Sequence, residues 1–213
     1  MEVYRPLVEQ PRELLRGLHV ARTVQRSQPA FEGFLSEFGA RLERGVVFPG
    51  LCGAILEHSR AKIKPIGSTR LTFLESGNVA EYFASRDEGT NEVRKTRDEL
   101  EQHLADTLPI GHTTVRVNER APLRWVGRLG TLALNIEDDE RLVRERAEIE
   151  KFLRERFGDL PRLYDFEPHI TVGRVLEAIP YETWKEPVRI VPKDIVIPEE
   201  VVLNGLAVHL GSS

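Results

Sequence analysis

Two short runs carry the side chains best suited to chemistry. One is His112-Thr113-Thr114-Val115-Arg116, inside "GHTTVRVNE"; the other is His169-Ile170-Thr171-Val172, inside "PHITVGRVLE". Each reads His-x-Thr-Val, then an arginine, a valine and an acid, with Gly173 inserted once in the second copy. In a strand, residues two apart share a face, so His112, Thr114 and Arg116 point together, as do His169 and Thr171. Two such strands side by side would present two imidazoles and two hydroxyls around one cleft. One imidazole can take a proton from an attacking oxygen while the other protonates the leaving oxygen. Hydroxyls and a guanidinium then hold the phosphoryl oxygens, where charge builds. That is phosphodiester chemistry without metal. A single His-x-Thr is a weak signal, and a histidine in an apolar strand is more often structural; the repetition is what singles these out.

The flanking sequence predicts the elements that would position them. "LHVARTVQ" (18–25), "RLTFLES" (70–76), "HTTVRVNE" (112–119), "GTLALNI" (130–136), "HITVGRV" (169–175) and "EEVVLNGLAVHL" (199–210) read as strands. Phe31, Phe34, Leu35, Phe38 and Leu42 recur at helical spacing over 29–45. A second helix is expected over 90–109, capped by Thr90, with Leu100, Leu104 and Leu108 on one stripe. The clearest helix runs over 138–158, with an acidic first turn, a Leu142/Ile149/Leu153 stripe and Gly158 as its stop. Its many alternating charges read as a solvated face. Each His-x-Thr run thus ends a strand–helix–strand unit, which reads as an internal repeat. No Gly-rich nucleotide fingerprint joins a strand to a helix, and the spacing suits α+β better than a doubly wound sheet.

Composition bounds the partners. The 213 residues are 40% hydrophobic and 30% charged, with a formal net charge of -4, as in a globular protein. That balance argues against an extended nucleic-acid surface but allows a small basic pocket for one phosphate. No apolar run is long enough to span a membrane. The first residues lack a signal-peptide core, so 1–17 reads as a lead-in and 18–213 as a single bilobal domain. One cysteine, Cys52, leaves no internal disulfide and no multi-cysteine zinc site, which fits a cytoplasmic protein. Oligomeric state is not legible.

"PHITVGRV" resembles the second signature of the 2H phosphoesterase superfamily, whose members carry two His-x-Thr/Ser motifs. The resemblance spans roughly residues 18–210. It implies a bilobal α+β fold, with two antiparallel sheets around a central cleft and helices outside. It also implies cleavage of 2′,3′-cyclic phosphates or 2′-5′ linkages in a small nucleotide or at an RNA terminus, with no metal and no cofactor. His169 would be a catalytic acid or base, and Thr171 would bind the phosphate. Two registers compete for the first motif. In one it is His112 and Thr114, with Arg116 beside them. In the other, "STRLTFL" is the first-motif strand, so Arg70 takes the histidine position and Thr72 the threonine position. A guanidinium cannot serve as a base but can hold a phosphate. The second register therefore implies a degenerate member that binds a nucleotide or RNA terminus without turnover.

Overall fold

Strand β1 (His19–Val24) shows how the sheet is built: Val20, Arg22 and Val24 turn into the core, and His19, Ala21 and Thr23 turn the other way. The computed structural model describes residues 19–43, 61–63, 69–74, 90–109, 111–126, 131–158, 166–175 and 195–209. The lead-in 1–17 and Cys52 lie outside them.

After β1 come helix α1 (Pro29–Glu43), β2 (Ala61–Ile63), β3 (Arg70–Leu74), α2 (Thr90–Thr107), β4 (Thr113–Arg116), β5 (Leu123–Val126) and β6 (Thr131–Asn135). Helix α3 (Glu140–Phe157), β7 (His169–Val175) and β8 (Glu200–His209) complete the described chain. The strands form one curled antiparallel sheet in the order β4-β8-β1-β3-β7-β6-β5, with β2 also on β7. The α+β class stands as expected. The two strand sets, β4-β8-β1-β3 and β7-β6-β5, are joined edge to edge at β3 and β7, where Arg70 pairs with Thr171 and Leu71 with Ile170.

A two-fold repeat runs through that seam, and it differs from the one expected. In one half β1 and β3 are antiparallel neighbours with Ala21 opposite Thr72; in the other, β6 and β7 are neighbours with Ala133 opposite Thr171. Both pairings carry a register shift at the same place, between Val20 and Ala21 and between Leu132 and Ala133. The repeated unit is therefore β1–α1–β3 and β6–α3–β7. The unit expected from the histidine motifs, β3–α2–β4, is not its counterpart, because β1 and β8 lie between β3 and β4.

Helix α3 is set by its ends and its stripe. Asp139 caps it by accepting from the Arg141 amide at 2.7 Å, and Gly158, at φ 75, closes it with its N–H on the Arg154 carbonyl. Leu142, Ile149 and Leu153 are fully buried, as predicted. Glu145 and Arg146 are buried too, so the helix is not simply solvated on its charged positions. They sit three and four residues after Leu142, on the stripe itself. Glu145 receives Arg22 Nε at 2.9 Å and Nη2 at 2.7 Å. Arg22 also donates to the carbonyls of Gly111, Asn204 and Pro109, at 2.8, 2.9 and 3.4 Å. All five of its N–H donors are thereby used. Arg146 donates to the Phe73 carbonyl and, at 2.7 Å, to Glu150. Among the described residues no helix is long and apolar enough to cross a membrane.

Candidate active site

The seam places two motif strands side by side. Arg70 stands directly opposite Thr171, and one more step of the same register sets Thr72 opposite His169. Arg70-x-Thr72 on β3 and His169-x-Thr171 on β7 are thus related by the local two-fold, and all four side chains share the face turned away from Leu71, Ile170 and Val172. On that face Arg70 and His169 are diagonal cross-strand neighbours, about 7–8 Å apart. Ala21 and Ala133, opposite the two threonines, are fully buried and keep the floor shallow on both sides.

His169 is oriented from behind. Its Nδ1 lies 2.8 Å from the Glu167 carbonyl, which can only accept, so the proton sits on Nδ1 and the lone pair on Nε2. Arg124, on β5, binds the Glu167 carboxylate and donates to the Glu167 carbonyl at 3.0 Å, which brings Nη2 to 3.3 Å from His169 Nδ1. Burial holds the His169 pKa below its ordinary value; the Glu167 carbonyl opposes this, the Arg124 charge adds to it, and the Glu167 carboxylate opposes it. At neutral pH the ring is uncharged, with its proton on Nδ1 and the Nε2 lone pair free of a proton.

Across the seam Arg70 reaches along β1 and donates to Nε2 of His19. His19 is buried, and its ring stacks on His209 of β8 at 4.9 Å and 19°. His209 is directly opposite His19 in the β1–β8 ladder. Its pKa is lowered by burial, then by the charges of Arg70 and Arg97, with Glu101 opposing. An open hollow of ≈ 420 Å³, lined by Thr23, Val24, Gln25, Arg26 and Asn204, adjoins this face. Thr23 is the cross-strand partner of Arg70 and accepts a hydrogen bond from Asn204 at 2.9 Å.

The structure does not bring His112, Thr114 and Arg116 to this place. Among the described residues strand β4 pairs with β8, an end of the strand order away from the β3–β7 seam. Just beyond it Val117 bridges to Ile136, while the Arg116 carbonyl accepts from the Glu137 amide at 2.9 Å. His112 is exposed just before that strand, Thr114 is exposed opposite Val202, and Arg116 lies 3.4 Å from Glu200 in solvent. Sequence reasoning missed Arg124 and the His19–His209 pair. Arg124 carries no local motif, and its role follows only from the β5–β6–β7 ladder. His19 was legible as a histidine on the face of β1 that turns from the core, although nothing in the sequence paired it with Arg70. Among the described residues no group of three His, Cys, Asp or Glu could hold a metal ion.

No protein-family profile and no curated protein matches the chain. Solved structures do. Usb1 of Kluyveromyces marxianus aligns over 92% of this chain and 94% of its own, at a TM-score of 0.52 and 10% identity. LigT of E. coli aligns over 91% and 84%, at 0.42 and 13%. A conserved protein of unknown function from Agrobacterium tumefaciens aligns over 78% and 66%, at 0.40 and 16%. At 10% identity the likeness to Usb1 is one of fold: the chain is an α+β protein with the 2H phosphoesterase fold that Usb1 has.

Proposed function

We propose that the protein is a metal-independent phosphodiesterase that opens 2′,3′-cyclic phosphates or 2′-5′ linkages in a small nucleotide or at an RNA end. The observation that carries this reading is the seam pairing of Arg70 with Thr171, which sets an arginine and a neutral imidazole diagonally across one face on a 2H-type scaffold. On this reading Arg70 and the hydroxyls of Thr72 and Thr171 bind the phosphoryl oxygens, and His169 Nε2 removes the proton from the attacking oxygen. The hollow beside Thr23 would take the nucleoside, with Arg26 at its rim.

The test is incubation with 2′,3′-cyclic nucleotides and 2′-5′ dinucleotides in EDTA, with products resolved by chromatography. Turnover is expected, and His169→Ala should lower it by about 10²–10⁴-fold, the usual contribution of a positioned acid–base group. A variant with the wild-type rate would sink the reading. Arg26→Ala should raise KM with little change in kcat, the pattern of lost uniform binding.

One observation favours a second reading. The position related by the two-fold to His169 holds Arg70, which cannot exchange a proton at neutral pH. The protein would then bind a nucleotide or RNA terminus without turning it over. Saturable binding of a 2′,3′-cyclic nucleotide, lost in Arg70→Ala, with no product after long incubation, would select it.

A further inference from the structure

The phosphodiesterase reading needs a second proton-transfer group across the phosphorus from His169, and Arg70 cannot be that group. Of the other described histidines, His112 lies just before β4, away from the seam in the strand order, and His103 lies between α2 and α3, 3.5 Å from Glu148. His19 and His209 share the face of Arg70 and Thr72. His19 is the nearer to His169, with β3 alone between their strands. It is also the one that Arg70 touches.

We propose that His19 is the general acid of this site, exchanged into service by Arg70 when a phosphate binds; the inference rests on the phosphodiesterase reading. Arg70 has only donors, so His19 Nε2 accepts from it and carries no proton while the contact lasts. A phosphoryl oxygen is a stronger acceptor for a guanidinium than a neutral imidazole is, because the bond is then charged at both ends. Arrival of the phosphate therefore draws Arg70 from His19 onto the substrate. Nε2 takes up a proton from solvent, and the adjacent anion stabilises the imidazolium. His209, stacked behind at 4.9 Å, holds the ring plane and is a positioning residue.

The geometry suits an in-line displacement. Strands β7 and β1 flank β3, so His169 and His19 stand on opposite sides of Arg70 and Thr72. Two strand spacings are about 9.6 Å across the sheet, and His19 lies two residues beyond Ala21 along β1, about 6.8 Å. The two backbones are therefore at least about 12 Å apart, and the imidazoles lean toward each other to hold one phosphoryl group between them. With a cyclic phosphate, His169 Nε2 takes a proton from water and the water oxygen bonds to phosphorus. The ring P–O bond breaks, and its oxygen takes the proton from His19 Nε2. The product is a monoester, and both imidazoles reset by exchange with solvent.

Leaving-group dependence tests this. Wild type, His19→Gln and His169→Gln are assayed on a 2′,3′-cyclic nucleotide, whose leaving oxygen is an alcohol. They are also assayed on a nucleoside 3′-(4-nitrophenyl) phosphate, whose nitrophenolate departs without a proton. Glutamine keeps an acceptor for Arg70 but cannot protonate. His19→Gln should lose about 10²-fold or more on the first substrate and stay within about threefold on the second, whereas His169→Gln should lose on both. His19→Ala should recover part of its rate on the cyclic substrate with added imidazole, which a purely structural role would not allow. Equal losses of His19→Gln on both substrates, with wild type active and no rescue of His19→Ala, overturn the role of His19 and leave the phosphodiesterase reading in place. Wild type inert on both substrates overturns both.

Discussion

At His169 the choice of tautomer matters more than the presence of the ring. The Glu167 carbonyl accepts a hydrogen bond from Nδ1–H, which leaves Nε2 without a proton, and Arg124 fixes Glu167 in turn. Because burial and the Arg124 charge both depress the His169 pKa, the base remains neutral below the ordinary histidine range. The acidic limb of kcat/KM is therefore expected below pH ~6.5. Arg124→Gln removes one depressing charge, so the limb should move to higher pH; a limb that stays in place would mean that burial alone sets it. His112 teaches the converse. Its local spacing matches His169 closely, yet it ends on a solvent-facing edge, because spacing says which side chains share a face and not which strand lies beside it.

Among the elements, α3 is the one that sequence periodicity described best and misread most. Its length, acidic first turn, stripe and Gly158 stop were all legible. The burial of Glu145 and Arg146 was legible too, had position outweighed charge, since both fall between Leu142 and Ile149 on the inward face. The partner of Glu145 was marked in the same way, because Arg22 alternates with Val20 and Val24 on the buried face of β1. Glu145→Leu would leave the Arg22 guanidinium buried without its countercharge. A loss of about 3–5 kcal/mol is expected from breaking such a pair, measured by urea unfolding. Arg22→Met should cost a similar amount, because it strands Glu145 and the Gly111 and Asn204 carbonyls together. If either variant unfolds at the wild-type midpoint, the pair is not holding β1 to α3.

For the molecule as a whole, the two halves of the sheet meet through few strand pairs, yet they share one hydrophobic core that includes Val20 and Leu71 from one half and Leu132 and Ile170 from the other. Helix α3 belongs to the second half and bonds to β1 and β3 of the first through Glu145 and Arg146. Amide exchange in β1 and β6 is therefore expected to report the same global opening energy; a lower value in one would show that the halves open separately. Stability should also depend on the histidines. His169 and His209 both have folded pKa values below the unfolded one, so the native state binds fewer protons in that window. Stability is fully present above pH ~6.5 and is lost as pH falls through the depressed folded values. The fall between pH 7.5 and 5.5 should shrink in a His169→Gln/His209→Gln variant, read as the difference in urea midpoints.

The sequence by itself determined the elements and their faces. Strand alternation, helical stripes and caps act over a few residues, and they were enough to give α+β, the His169–Thr171 pair and the placement of Arg70 and Thr72 on one strand. Tertiary structure alone decided which strand faces β7. A strand offers the same donors and acceptors to any edge, so local pattern cannot distinguish β3 from β4 as the neighbour. The choice came from packing of the whole sheet, including two buried charges whose partners lie more than a hundred residues away. That packing set Arg70 opposite Thr171, left His112 at the rim and put His19 against Arg70.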